Sequence, residues 1–223
     1  GSFEMTKNQK LLEMIILPAI SDTIYMVFIS TILATFIGCG LAIILVMTDK
    51  DGLKPNRVIY RVLDILINVI RSFPFIILVI SIIPLTRFVV GTSIGKNAAI
   101  FPLTILSSAL VARLIEGNLK SVNKDIIKVA KAFGATNMQI IFKVMFVEAI
   151  PSICLSITLA MVGILGSSAM AGAVGAGGVG AVGIIYGYQS FNDFVIYTCV
   201  VILIVMVQII QCVGNWLYRR LSR

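Results

Sequence analysis

Between Thr23 and Thr48 the chain runs for 26 residues without a charged side chain. A helix of that length rises about 39 Å, which exceeds the roughly 30 Å hydrocarbon core of a bilayer. Such a stretch therefore crosses a membrane with tilt to spare. It is too long for the apolar core of a signal peptide and no small-residue cleavage site follows it. Ser21 and Asp22 stand where an N-cap would open the helix. Once lipid is the solvent, backbone N–H and C=O groups must pair within the segment, and a helix is the way a single apolar run does this.

Comparable runs recur, so 59% of the 223 residues are hydrophobic and only 13% are charged. The expectation is an all-α integral membrane protein forming one transmembrane domain over 1–223, with five spans at about 23–48, 62–83, 98–116, 151–170 and 195–216. Residues 8–20 carry an apolar face of Leu12, Ile15, Ile16 and Ala19 before Pro18 disturbs it, which predicts a short interfacial segment. Gly1 and Ser2 read as a cloning remnant ahead of a native start at Met5. The chain contains no His, and Cys39, Cys154, Cys199 and Cys212 lie in apolar runs without metal-ligand spacing. They read as small buried apolar residues. No metal, cofactor or catalytic group is expected in this chain, and the net charge of +8 does not point to nucleic acid, because its Lys and Arg sit in loops and at ends.

One segment between apolar spans differs from the rest. From Lys124 to Pro151, a plausible N-cap at Asn123 opens a short helix with Ile126, Ile127, Ala130 and Phe133 on one face and Lys124, Asp125, Lys128 and Lys131 on the other. Gly134 stands where a helix ends in a left-handed residue. Thr136 with Gln139 makes a capping-box pattern for a second short helix, with Met138, Ile141, Val144 and Met145 on one side, running to Pro151. The small residues Ala130, Ala132, Gly134 and Ala135 make an elbow that a partner surface can approach closely. The plainer alternative is a solvated loop lying on the membrane.

Inside the spans, polar and small residues mark candidate positions. Arg71 lies about ten residues into the second span, roughly 15 Å along its axis, where a charge must face protein or water. It either meets solute or pins a break at Ser72–Pro74. The fourth span carries Met161, Ser167, Ser168 and Met170, which either line a path or pack. Nine of the eighteen glycines fall between Gly163 and Gly187. Gly175, Gly177 and Gly180 match a dinucleotide fingerprint by accident, since no strand precedes them. Density of this kind, with Gly177 and Gly178 at its centre, allows either irregular backbone beside a solute path or a tight dimer seam. The GTSIGKN loop is likewise rejected as a phosphate-binding loop, having too few residues between its glycines.

Excluding Arg71, thirteen Lys and Arg residues fall on the side of the amphipathic pair against four on the other. The expected orientation is N-terminus outside, with the C-terminus and the pair in the cytoplasm.

A loop of this pattern between the third and fourth of five spans resembles the coupling loop of permease subunits in bacterial ATP-binding cassette importers. Their signature is Glu-Ala-Ala, three residues, Gly, nine residues, Ile, any residue, Leu-Pro. Here Lys128, Val129, Ala130, then Gly134, then Val144, Phe146 and Val147 correspond, so the central Ala and Gly are kept while Glu and Leu-Pro are lost. RSFPFIILVISIIPLTRFVVGTSIG, VARLIEGNL, KAFGATNMQIIFKV and SAMAGAVGAGGVG look like the branch that takes up methionine, over Thr23 to Trp216. The resemblance implies a type I importer fold in the bacterial cytoplasmic membrane and alternating access for L- and D-methionine or analogues. The implied partners are a second copy of this permease, two cytoplasmic ATPase subunits holding ATP and Mg, and an external methionine-binding protein or lipoprotein. It assigns ATPase coupling to Ala130, Lys131, Ala132, Phe133, Gly134 and Ala135. The contrasting expectation, a channel or ion-coupled secondary transporter, would use Asp64 and Arg71 as a relay; a scaffold or a permease for another small solute are further alternatives.

Overall fold

The computed structural model describes residues 10–222, so Gly1, Ser2, Met5, residues 8 and 9 of the expected interfacial segment, and Arg223 lie outside the described residues. Within them the chain is helical, with no strand. In chain order the helices are α1 (Leu12–Thr48), α2 (Arg57–Ser72), α3 (Phe75–Ser81), α4 (Ile83–Val90), α5 (Lys96–Lys120), α6 (Lys124–Ala132), α7 (Asn137–Val174), α8 (Gly178–Tyr188) and α9 (Asp193–Leu221). Four of these, α1, α5, α7 and α9, are long and apolar enough to cross a membrane, and the count is five if the pair α2 and α3, bent by 105°, is taken as one span. The protein is an all-α integral membrane protein.

Several boundaries differ from those read in the sequence, and each has a local cause. The segment before Ser21 is not separate: α1 runs through Pro18 without interruption. A widened turn at Leu12–Ile16 precedes the proline, with the Leu17 N–H reaching back to the Leu12 carbonyl. That turn absorbs the ring and the missing donor that would otherwise break a helix. The second span is two helices, because Pro74 holds extended backbone (ψ 131°) and disfavours helix in the residue before it. The expected loop from Pro84 to Asn97 is helical as far as Val90, where Gly91 at φ 87° ends it. Pro102 sits in the second turn of α5. Pro151 does not start a helix but lies inside α7, which continues unbroken from the second half of the amphipathic pair.

The chain forms two compact units. One comprises residues 33–72, 106–160 and 211–222. Its core joins Ala42 and Val46 of α1, Val111, Ile115 and Leu119 of α5, and Ile140, Ile141, Met145 and Ile153 of α7. Small residues set the spacing: a Cβ on Gly38 would lie 2.6 Å from Val111 Cγ1, so α1 and α5 meet almost backbone to side chain. In lipid, such close packing replaces the hydrophobic effect as the force between helices. α2 adds Ile67, buried against Leu45, Ala109 and Ala112.

The other unit comprises residues 10–32, 73–105 and 161–210. Its centre is the glycine-dense segment, where α7 ends, the backbone opens at Gly175–Gly177, and α8 begins. Gly172 and Gly180 face one another across this turn so tightly that a Cβ on either would strike backbone, of Ala181 and Ala169 respectively. The open backbone is satisfied by neighbours. Gly95 N–H donates to the Gly175 carbonyl (2.8 Å), and Val179 N–H donates to the Thr23 hydroxyl (2.9 Å). Lys96 pairs with Asp22 (2.7 Å) and lies over the Tyr25 ring.

Gly178 combines two restrictions. Its φ is +79°, and an added Cβ would lie 2.6 Å from Thr23 Oγ1 and 2.9 Å from Met26 Cε. Gly178→Ala is expected to destabilise the protein by about 2 kcal/mol, seen as a lower midpoint in thermal unfolding of the purified protein. Gly91→Ala, at the same backbone sign but in open space, is expected to cost about half as much.

Candidate coupling site

The elbow is built from local hydrogen bonds. The Asn123 side chain accepts from the Asp125 N–H (2.9 Å) and opens α6. At its end Ala135 N–H donates to the Ala130 carbonyl (3.1 Å) and Gly134 N–H to Lys131 (2.9 Å), with Gly134 at φ 79°. This closes the helix with a left-handed glycine, a conformation that costs other residues about 1 kcal/mol. Thr136 and Gln139 then form the reciprocal capping box that opens α7. Both signals lie within a few residues, which is why they were legible in the sequence.

The apolar residues around the elbow divide in two directions. Ile127, Ala130 and Ala135 pack on the core of Ile115, Leu119, Ile140, Ile141 and Met145. Ile126, Val129, Phe133, Met138 and Phe142 are exposed, with Phe133 at 88%. Phe133 was expected on the greasy stripe with Ile127 and Ala130; it lies past the last helical residue, at φ −80° and ψ 7°, and points away from that core. A widened turn at Ile140–Met145 shifts the register by a residue, so Ile140 and Ile141 are both buried and Met138 is left outside. Lys131, Ala132, Phe133 and Gly134 are thus an exposed knob on a half-buried base formed by Ala130 and Ala135.

The same unit holds an ionic clasp that the sequence reading did not assemble. Glu116, with a side chain only 4% exposed, accepts from Arg113 (2.8 Å), Lys120 (2.6 Å) and the Tyr60 hydroxyl (3.1 Å). Arg113 also holds Asp64 and the Asn68 side-chain oxygen of α2, and Lys120 reaches Asp49. The clasp ties α2 to α5 through buried charge. The signal lay in the spacing of Arg113, Glu116 and Lys120, which puts three charges on one face of an otherwise apolar helix. Asp64 is therefore engaged by Arg113, not by Arg71, which removes the geometric basis for an Asp64–Arg71 relay. Arg71 is exposed at the end of α2 and makes no ion pair among the described residues; it does not turn into this chain's own core as its depth in an unbroken span required.

The remaining pathway candidates lie in the other unit. Ser168 is buried and its hydroxyl donates to the Leu165 carbonyl (2.7 Å), so it serves its own helix. Gly178 is packed on Thr23 and Met26. Met161 and Ser167 are half-buried, Met170 is exposed, and Gly177 (φ 81°) opens the backbone before α8. No group of three or more metal-ligating side chains occurs among the described residues.

Residues 34–223 match the model of the family described as binding-protein-dependent transport system inner membrane component. The chain belongs to this family. Among its relatives, the probable D-methionine transport system permease protein MetI of Vibrio cholerae serotype O1 is 44% identical over 158 residues, which are 71% of this chain and 70% of that protein. The D-methionine transport system permease protein MetI of Escherichia coli strain K12 is 38% identical over 151 residues, 68% of this chain and 70% of that protein. A solved structure titled as an inward-facing conformation of the MetNI methionine ABC transporter, native crystal form, superposes with a TM-score of 0.92 at 38% identity, covering 94% of this chain and 97% of that one. An amino acid ABC transporter crystallised with histidines shares the fold, with a TM-score of 0.76 at 21% identity over 98% of this chain and 97% of that one.

Removing Arg113 leaves Glu116 short of one partner and Asp64 without its cation. Arg113→Met is expected to cost about 3 kcal/mol, measured by denaturant unfolding, and the Asp64→Asn, Arg113→Met double variant to fall short of additivity by about 1 kcal/mol.

Proposed function

We propose that this chain is the permease subunit of an ATP-driven methionine importer, working as a homodimer in the bacterial cytoplasmic membrane. The observation that carries the reading is the exposed elbow on a base packed against the core, in a chain whose relatives are D-methionine permeases and whose fold superposes on a MetNI methionine transporter at a TM-score of 0.92. Ala130 through Ala135 form the surface that a cytoplasmic ATPase subunit grips, Phe133 being the knob that enters it. The excess of Lys and Arg on the elbow's side supports a cytoplasmic elbow and C-terminus and an outside N-terminus.

Two such ATPase subunits, which hold ATP and Mg, close and open; α6 moves with them, and its base carries that motion into α5 and α7. α7 begins at the elbow's capping box and packs through Ile140, Ile141 and Met145 on Ile115 and Leu119 of α5, so a displacement at Asn137 reaches both helices. The solute path lies between the two copies of the chain, bordered by Met161, Ser167, Met170 and Gly177, and an external binding protein or lipoprotein delivers L- or D-methionine to it. Alternating access then follows from two arrangements of the same helices, biased by the ATPase contact.

Reconstitution of the chain in vesicles with and without its ATPase partner tests this reading. Methionine uptake is expected only with the ATPase and ATP; uptake driven by an ion gradient without it would refute the assignment. Gly134→Glu is expected to reduce ATP-driven uptake by at least about tenfold, because the substitution both strains a φ of 79° and puts a bulky acid at the gripped surface. Gly134→Asn, which tolerates that backbone, is expected to retain most of it.

A further inference from the structure

Arg71 is a charge that the fold of the chain leaves unused. It stands exposed in the last turn of α2, with no ion pair or side-chain hydrogen bond among the described residues. The break that follows does without it. The Ser72 hydroxyl donates to the Asn68 carbonyl (2.7 Å), and Pro74 holds the extended backbone by itself.

Its level along the bundle follows from what α2 touches. Tyr60 meets Glu116, Asp64 meets Arg113, and Ile67 packs on Ala109 and Ala112, so α2 runs antiparallel to α5. Arg71 comes seven residues after Asp64, which is about 10 Å beyond the clasp along the helix axis. There α5, a membrane-crossing helix, carries no charge from Asn97 to Ala112. A guanidinium at the level of that stretch must face water or a polar partner, because facing hydrocarbon it would cost several kcal/mol.

The rest of α2 shows which. The helix is strongly amphipathic, and at about 100° per residue Arg57, Arg61, Asp64, Asn68, Arg71 and Ser72 fall within one sector roughly 100° wide. All but Asp64 are exposed. Val58, Val62, Leu66 and Val69, also exposed, occupy a separate sector that suits lipid or another apolar surface. The polar stripe therefore wets α2 from its Arg57 end, on the elbow's side, up to the break after Arg71. Asp64 is the only acid on the stripe, and Arg113 already holds it. An anion entering along the stripe meets three arginines and no free carboxylate.

We propose that Arg71 binds the carboxylate of the transported amino acid at the inner end of a hydrated groove along this stripe. The inference rests on the importer reading and adds a residue contact to it. The planar guanidinium fork matches a carboxylate with two parallel hydrogen bonds, and water in the groove keeps the charge solvated when no solute is present. A fixed acid from a second copy would close the groove at this point, and the experiment distinguishes the two.

The test follows modification of Ser72→Cys, one residue from Arg71, by an anionic, membrane-impermeant methanethiosulfonate. The chain is reconstituted with its ATPase partner in nanodiscs, where both faces are open to reagent, and residue 72 is read by mass spectrometry. Ser72→Cys is expected to be modified and Leu66→Cys, on the opposite side of α2, to be spared. Methionine is expected to slow the modification, whereas methioninol, which lacks the carboxylate, is not. Adding Arg71→Gln to Ser72→Cys is expected to keep the site open to reagent but to raise the methionine concentration for half-protection by about tenfold or more. Equal modification of both cysteines, no modification of Ser72→Cys, protection by methioninol, or protection that survives Arg71→Gln would each overturn the proposal. An acid of the second copy on Arg71 would appear as absence of methionine protection, which also overturns it. Uptake by the same Ser72→Cys complex in vesicles separates the two readings: ATP-driven uptake without protection sinks this site alone, and protection without ATP-driven uptake sinks the importer reading and leaves the site.

Discussion

In a hydrocarbon layer a backbone amide that leaves its helix has no water to turn to, and the design of this chain follows from how each such departure is paired. The opening at Gly175–Gly177 is the plainest case. The Gly175 carbonyl receives the Gly95 N–H, and the Val179 amide in the first turn of α8 is taken by the Thr23 hydroxyl. Those pairings demand that three separate segments approach within backbone contact, which is possible only because Gly172, Gly178 and Gly180 present no side chain there. The glycine density is the steric condition for an irregular turn packed this closely on Thr23 and Gly95. The irregular backbone expected of this segment is this turn.

The elbow solves the opposite problem. Outside the apolar layer helix ends can be capped by side chains, and Asn123, Gly134 and the Thr136–Gln139 box do so in succession. The result is a short helix whose inner face belongs to the core and whose outer face and tip are free. Rigidity at the base and exposure at the tip are what a surface needs if it is to transmit a partner's movement. The ionic clasp serves the same end by fixing α2 to α5 near the base, with Glu116 buried among three donors.

Features that depend on neighbours in sequence were readable from it. The solvent, the number of apolar runs, the caps of the elbow and the left-handed Gly134 all follow from composition or from contacts within four residues. Where one helix ended was harder. Pro18, Pro102 and Pro151 look like punctuation, yet each lies inside a long helix; ahead of Pro18 a widened turn accommodates the ring. Pro74 looks the same in the sequence and does break its helix. The facing of Phe133 was misread for a related reason: periodicity assigns faces only while the helix lasts, and α6 stops at Ala132.

The sequence by itself therefore determined that this chain lives in lipid as a bundle of helices, and that one amphipathic elbow between the third and fourth spans is built by its own caps. These are one-dimensional properties, set by runs of apolar residues and by hydrogen bonds that close within a turn. Only the tertiary structure decided that Arg113 of α5 reaches Asp64 of α2, that Tyr60 reaches Glu116, and that Gly178 is held by Thr23 and Met26. Such partners lie tens of residues or more apart along the chain. Their meeting depends on how helices pack, which no local pattern encodes.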